Sequence, residues 1–260
     1  MTLAMEQSRS DLATGRIIAV ASGKGGVGKT WFSIMLARAL VQHHRQVLLF
    51  DGDLGLANVD IQLGLLPKHD LSALVASQRS LADCATPYPA GGFAVLAGRS
   101  GSGALSGLDP VTLERVLAAL GAERAYDSIV LDLGTGLDRP VRRMAAWADT
   151  LLVIATEEPT SLTDAYAVLK LHAADRAGGD VRVIINQASS PAAGQRTFDT
   201  LARACGTFLG REPSLAGIIR RDDHVRDAIR RQALLQIRHP DTAAVQDVTR
   251  LVARLLEPAA

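Results

Sequence analysis

The sequence predicts an α/β chain, a doubly wound and mostly parallel sheet of about seven or eight strands with helices on both faces. Three observations carry that expectation. Short apolar runs alternate with helical stretches some seven times along the chain, a rhythm that builds parallel strands joined by crossover helices. Of 260 residues 48% are hydrophobic and only 4% aromatic, so a core of Leu, Val, Ile and Ala is large enough for one domain. A glycine-rich stretch, Gly23 to Thr30, links the first apolar run to the first helical one, at the strand end where open sheets of this kind gather ligands. Residues 1–14 are polar and read as a flexible N-terminal segment, and residues 15–260 read as a single domain.

Ile17-Ile18-Ala19-Val20 is the first strand, and the helix after the glycine loop runs from about Lys29 to His43. Gln46-Val47-Leu48-Leu49-Phe50 is the second strand. Residues 61–92 read as short helices and loops, interrupted at Pro67, Pro87, Pro89 and Gly91-Gly92. Phe93 to Ala97 is a strand, and Gly98 to Gly103 a flexible loop without the strand-to-helix setting of a phosphate site. Pro110 opens a helix through Leu120. Strands follow at Asp127 to Leu133, Thr150 to Ala155, Val181 to Ile185 and Ser214 to Ile219. Between them Thr160 or Ser161 is a candidate N-cap, with Asp164 near capping-box spacing. After the last strand a helix is expected through Leu235.

The stretch Gly23-Lys24-Gly25-Gly26-Val27-Gly28-Lys29-Thr30 fits G-x-x-x-x-G-K-T in full. Glycines let backbone N–H groups converge on phosphate oxygens, and the helix that follows adds the positive end of its dipole. The backbone of Gly25, Gly26, Val27, Gly28, Lys29, Thr30 and Trp31 is therefore the expected phosphate cradle. Lys29 has the reach for β- and γ-phosphates, and the Thr30 hydroxyl suits Mg²⁺. Asp51 and Asp53 follow the second strand, where two carboxylates can order a metal-bound water and an attacking water. Read alone, they are also an ordinary Asp-Gly-Asp turn. Asp132 ends an apolar strand, as a rigid carboxylate beside a Mg²⁺ site must, and Gly134 after it lets a backbone N–H approach a γ-phosphate.

Lys24 is the unusual residue, and K-G-G-V-G-K-T resembles the deviant Walker A motif of the MinD/ParA ATPases. That resemblance, which extends over the chain beyond residue 14, implies ATP and Mg²⁺ as cofactors and slow, partner-regulated hydrolysis. It implies an ATP-bound homodimer in which Lys24 reaches the partner's nucleotide. By the same resemblance Lys24, Lys29 and Asp53 are catalytic, Asp53 positioning the attacking water. Thr30, Asp51 and Asp132 attend the metal, and Asn186 contacts adenine. The strings D-G-D-L-G-L-A-N-V-D and E-P-T-S-L-T-D-A-Y look most like the FlhG/FleN branch, which sets flagellar number. The partners this implies are flagellar assembly proteins: an FlhF-type GTPase, switch proteins or a flagellar transcription regulator. A MinD-like division-site regulator and a ParA-like partition ATPase remain alternatives. Trp31 departs from the small polar residue often found there, and Arg220-Arg221 from the usual Pro-Tyr near the base. The N-terminal GTPase-activating motif of the branch has its nearest counterpart in Glu6-Gln7-Ser8, with Leu12 out of place.

The formal net charge of +1 argues for no nucleic-acid partner, and none is expected. The arginines from Arg220 to Arg238 are balanced by acid-before-base pairs, Asp222–Arg226 and Asp227–Arg231, of a solvated helix face. A basic patch for DNA or lipid is the alternative. Cys84 and Cys205 lie far apart with no C-x-x-C, as in a reducing compartment, and are expected as small buried residues. An iron-protein reading needs a cysteine within residues 133–146, which hold none. With no apolar run of membrane-spanning length and no signal peptide visible, the expected location is cytoplasmic. The apolar stripe from Val245 to Leu256 is read as a last core helix, a peripheral contact with the inner membrane face being its alternative.

Overall fold

The structure is a computed structural model that describes residues 15–53, 55–98 and 108–257. The N-terminal segment 1–14 and most of the Gly98–Gly103 loop lie outside the described residues. In chain order the elements are β1 (Arg16–Ala21), α1 (Lys29–Gln42), β2 (Val47–Gly52), α2 (Val59–Leu63), α3 (Leu71–Val75), α4 (Leu81–Cys84), β3 (Ala85–Tyr88), β4 (Phe93–Leu96), α5 (Pro110–Ala122), β5 (Ser128–Leu133), α6 (Arg139–Trp147), β6 (Thr150–Ala155), α7 (Pro159–Asp175), β7 (Asp180–Ala188), α8 (Pro191–Leu209), β8 (Ser214–Arg220), α9 (His224–Arg230), α10 (Leu235–Arg238) and α11 (Ala243–Leu256).

The eight strands form one sheet in the order β3-β4-β2-β5-β1-β6-β7-β8. All pairings are parallel except that of the edge strand β3 with β4. Strands β2, β5 and β6 are buried along their whole length, as parallel strands covered on both faces must be. Period-two alternation splits each strand between two cores. Ile18 and Val20 join Phe32 and Met35 of α1 and Val248 and Leu251 of α11. Ile17 and Ala19 join Leu117, Met144, Leu169 and Leu201 from α5, α6, α7 and α8. Helix starts follow local chemistry: Asp109 accepts from the N–H groups of Val111 and Thr112, with Pro110 in the first turn.

Three local expectations are corrected. Residues 85–88, expected as loop because of Pro87, form the edge strand β3, where a proline opposite Ala94 is tolerated. The single helix expected after β8 is two, α9 and α10. Between them Gln232 turns into the left-handed region (φ 51) and its amide donates to the Ile61 carbonyl. Neither Thr160 nor Ser161 caps α7: the N-cap is Glu158, and buried Ser161 accepts instead from the Thr156 N–H. The apolar stripe of α11 is buried on β8 so closely that a Cβ at Gly217 would lie 2.8 Å from Leu251. That is the core helix expected from the sequence. No helix among the described residues is long and apolar enough to cross a membrane.

Candidate functional site

The site lies at the C-terminal ends of β1, β2 and β5. The glycine loop leaves β1 and enters α1 through Gly28, the N-cap residue, at φ 93, a conformation that glycine adopts without Cβ strain. A side chain there would also collide with Asn186, whose Nδ2 lies 2.5 Å from the place of a Cβ. Gly23 is required for a different reason: a Cβ would sit 2.5 Å from the Asp164 carbonyl of α7. The two lysines of the loop diverge. Lys29 is buried and its Nζ donates to Thr135 Oγ1 at 2.8 Å. Burial lowers its pKa, opposed by the charges of Asp132 and Asp53. Lys24 points along the rim, where its Nζ donates to Thr160 Oγ1 at 2.9 Å and pairs with Glu158.

Parallel register places Asp51 of β2 beside Asp132 of β5. Both are essentially without solvent exposure. Burial pushes both carboxyl groups well above the ordinary carboxylate range; for Asp51 the neighbouring charge of Asp132 adds to it. The hydroxyls of Thr30 and Ser33 and the Lys29 ammonium partly hold Asp132 down. Ser33 Oγ donates to Asp132 Oδ1 at 2.9 Å. Asp51 accepts from the N–H groups of Asn58 and Val59, each at 2.9 Å, and of Asp53 at 3.3 Å. Its oxygens therefore tie the backbone of residues 53, 58 and 59 to the end of β2. Asp53 accepts from Leu56 N at 3.0 Å, and its Oδ1 lies 3.3 Å from the place a Cβ would take at Gly134.

Beside the loop is a cavity of about 250 Å³ lined by Gly28, Trp31, Asn186, Arg221 and Asp223 among others. Asn186 is buried and donates through Nδ2 to the Val27 carbonyl at 2.7 Å, tying β7 to the loop. Trp31 is 7% exposed. Arg220 borders the same cavity, but Asp247 of α11 holds its guanidinium at 2.8 and 2.9 Å.

Comparison with known proteins assigns the fold and the family. The sequence profile of the CobQ/CobB/MinD/ParA nucleotide binding domain matches residues 18–235. The chain belongs to the MinD/ParA family of nucleotide-binding proteins. It is 36% identical over 230 residues to the antiactivator FleN of Pseudomonas aeruginosa, covering 88% of this chain and 82% of FleN. It is 26% identical to the flagellum site-determining protein YlxH of Helicobacter pylori, covering 93% and 82%. The septum site-determining protein MinD of Pyrococcus horikoshii, solved with Mg-ADP, shares the fold at a TM-score of 0.78 and 24% identity, covering 94% of this chain and 96% of that one.

Within this MinD/ParA domain, Gly25 to Trp31, Asp51, Asp53, Asp132, Gly134 and Asn186 gather at the C-terminal ends of the strands. Lys24 stands at the rim. The donor set suits a hard cation: one buried carboxylate beside the Thr30 hydroxyl, short of protein ligands. Among the described residues no group of three or more His, Cys, Asp or Glu is arranged to cage a metal. That pattern fits Mg²⁺ bound largely through phosphates and water. Sequence reasoning missed Thr135 as the Lys29 acceptor, Ser33 as the Asp132 donor, and Glu158 with Thr160 as the Lys24 partners. Only Ser33 carried a local signal, lying one helical turn after Lys29 and Thr30.

Proposed function

We propose that the protein is an ATP-dependent switch of the FlhG/FleN type, regulating flagellar number or placement. ATP binding pairs two copies, the pair binds its partner, and hydrolysis resets it. The observation that carries this reading is the divergence of the two loop lysines. Lys29 is buried toward Asp132 and Asp53, where the β- and γ-phosphates belong, while Lys24 stands at the rim in a pair with exposed Glu158. A rim lysine held by such an exposed pair and the Thr160 hydroxyl is free to exchange partners, and a cation supplied in trans is worth about 10³–10⁵ in phosphoryl-transfer rate.

The other roles follow from position. Backbone N–H groups from Gly25 to Trp31 hold the phosphates, and Lys29 neutralises them. Thr30 and Asp132 would hold Mg²⁺, which when bound offsets the charge shared by the β- and γ-oxygens. Asp51 fixes the turn that carries Asp53. Asp53, beside Gly134, orients the attacking water, and loss of the γ-phosphate releases both segments. Asn186 and Trp31 flank the base. The likeness to an antiactivator and a site-determining protein of flagella supports a flagellar transcription regulator or assembly protein as partner.

Light scattering on the full chain with Mg²⁺ and a nonhydrolysable ATP analogue tests the reading. Dimers are expected, absent in Lys24→Ala although that variant still binds nucleotide. Asp53→Ala is expected to form dimers on ATP itself without turnover. A wild-type chain that stays single while nucleotide-saturated sinks the proposal.

A further inference from the structure

The segment that leaves β5 brings one more hydroxyl to the glycine loop. Thr135 stands between Gly134 and Gly136, three residues after Asp132, and is exposed. Three observations place it over the phosphate cradle. Its Oγ1 accepts from Lys29 Nζ at 2.8 Å. A Cβ at Gly25 would lie 4.0 Å from both its Oγ1 and its Cγ2. The Gly136 N–H donates to the Ser22 carbonyl at 3.4 Å, which ties the segment to the start of the loop. On the other side Gly134 adjoins Asp53, whose Oδ1 lies 3.3 Å from the place of a Cβ. Thr135 therefore lies where Lys29, the glycine loop and the Asp53 turn meet.

A hydroxyl has one proton to give and two lone pairs to receive with. Elsewhere in the cradle the hydroxyls are spent within the chain. Ser22 Oγ donates to the Lys24 carbonyl at 2.7 Å, Ser33 Oγ to Asp132 Oδ1 at 2.9 Å, and Thr30 bonds the same carboxyl group. Thr135 is used in the opposite sense: it accepts from Lys29, and its own proton has no acceptor among the described residues. Accepting from an ammonium polarises the O–H bond and makes it a better donor. Lys29 is buried, and Thr135 is its one hydrogen-bond partner among the described residues. The hydroxyl thus sets where the ammonium points, while Asp132 and Asp53 attract it through charge alone.

We propose that Thr135 senses the terminal phosphate of a nucleoside triphosphate, its O–H donating to a γ-oxygen while its Oγ1 keeps Lys29 aimed at the same group. This role rests on the triphosphate reading of the loop, and it adds a side chain that separates triphosphate from diphosphate. The N–H groups at the start of α1 and Lys29 serve the β-phosphate in both. Thr135, on the side of Gly134 and Asp53, meets only the third phosphate. The glycines that flank it, Gly136 at φ 114, let the segment move away once that phosphate leaves.

The test is calorimetry on the full chain carrying Lys24→Ala, which the switch reading expects to bind nucleotide without pairing. Affinities are measured for a nonhydrolysable ATP analogue and for ADP, each with Mg²⁺. Thr135→Val keeps the branched shape and removes the hydroxyl; Thr135→Ser keeps the hydroxyl. The ratio of analogue to ADP affinity is expected to fall about tenfold or more in Thr135→Val, as for a lost hydrogen bond to a charged group, with ADP itself within about threefold of the parent. Thr135→Ser should restore the ratio. Thr135 is exposed, so both variants should keep the parent's unfolding midpoint, and a merely structural role would weaken both nucleotides together. A ratio unchanged in Thr135→Val, an equal loss for ADP, or no recovery in Thr135→Ser overturns the sensor and leaves the switch standing. A parent chain that binds neither nucleotide overturns the triphosphate reading instead.

Discussion

Two groups of aspartates in this chain behave in opposite ways. At the nucleotide edge, Asp51 and Asp132 stand side by side, buried, with carboxyl groups pushed up by burial and, for Asp51, by the neighbouring charge. In the C-terminal third, Asp247 is nearly as buried but holds Arg220 through both oxygens and Arg250 through one. Asp227 likewise holds Arg231 and Arg238. Hydrogen bonds from these arginines keep both carboxyl groups below the ordinary range. The second group staples α11 to β8 and α9 to α10. The first is a deficit of positive charge that the folded chain tolerates and a cation would relieve, which is how buried acids at functional sites differ from structural ones.

Replacing the acid at each place separates the two behaviours most sharply. Asp132→Asn is expected to lower ATP hydrolysis about 10²–10³-fold, the range for losing one transition-state electrostatic contact. Yet it should leave the metal-free chain as stable or more stable, because a repelling charge is gone. Phosphate release and urea unfolding without Mg²⁺ read the two halves. A clear loss of stability would make Asp132 a staple like Asp247 and erase the contrast. Asp247→Ala should do the reverse, costing about 1–3 kcal/mol of stability by stranding the Arg220 guanidinium, with the nucleotide-dependent dimer intact in the folded fraction.

Acid titration sharpens the same comparison with a smaller effect. A carboxyl group whose folded pKa is depressed adds stability that is present above its unfolded pKa near 4 and lost as pH falls through the folded value. Asp227 and Asp247 are of that kind, so the chain should weaken progressively below about pH 4, and Asp247→Ala should flatten that limb. A raised carboxyl group works with the opposite sign: the folded state holds the extra proton, and stability falls as pH rises above about 4. The fall from about pH 4 to about pH 8 therefore belongs to Asp51 and Asp132, and Mg²⁺ with nucleotide should reduce its slope. Urea midpoints across pH, in wild type and Asp247→Ala, check both limbs.

The sequence made the parallel strands legible because each is a continuous apolar run bounded by turn residues, and it made Gly23–Thr30 legible because glycine spacing is local. The edge strand β3 was hidden by Pro87, whose rule against strands lapses at a sheet edge. The break between α9 and α10 was hidden because it depends on Gln232 reaching Ile61 across the fold. At the site, Asp51, Asp53 and Asp132 could be named but not ranked. Only the register and the backbone N–H groups of residues 53, 58 and 59 show that Asp51 organises a turn while Asp132 faces the Lys29 side. Of the two aspartate–arginine helix pairs expected in the arginine-rich segment, Asp227–Arg231 forms, whereas Asp222 turns to His224 and to the start of α11.

The Lys24–Glu158 pair is the smallest energetic feature of the comparison, an acid–base contact at the rim rather than in the core. Glu158 is 66% exposed in its side chain, so the pair contributes about 0–1 kcal/mol at most, and Glu158→Gln should leave the unfolding midpoint where it is. Its effect belongs on assembly. If Lys24 must leave Glu158 to meet the nucleotide of a second copy, whatever the pair contributes in the single chain opposes pairing by the same amount. Because each copy breaks one such pair, removing it should strengthen ATP-analogue-dependent dimers by up to about thirtyfold, read by sedimentation across protein concentration. The gain should shrink at high salt, where the exposed pair is already screened in the wild type. A dimer that instead weakens in Glu158→Gln would mean that Glu158 itself faces the second copy. The lysine would then carry its acid into the interface rather than leaving it behind.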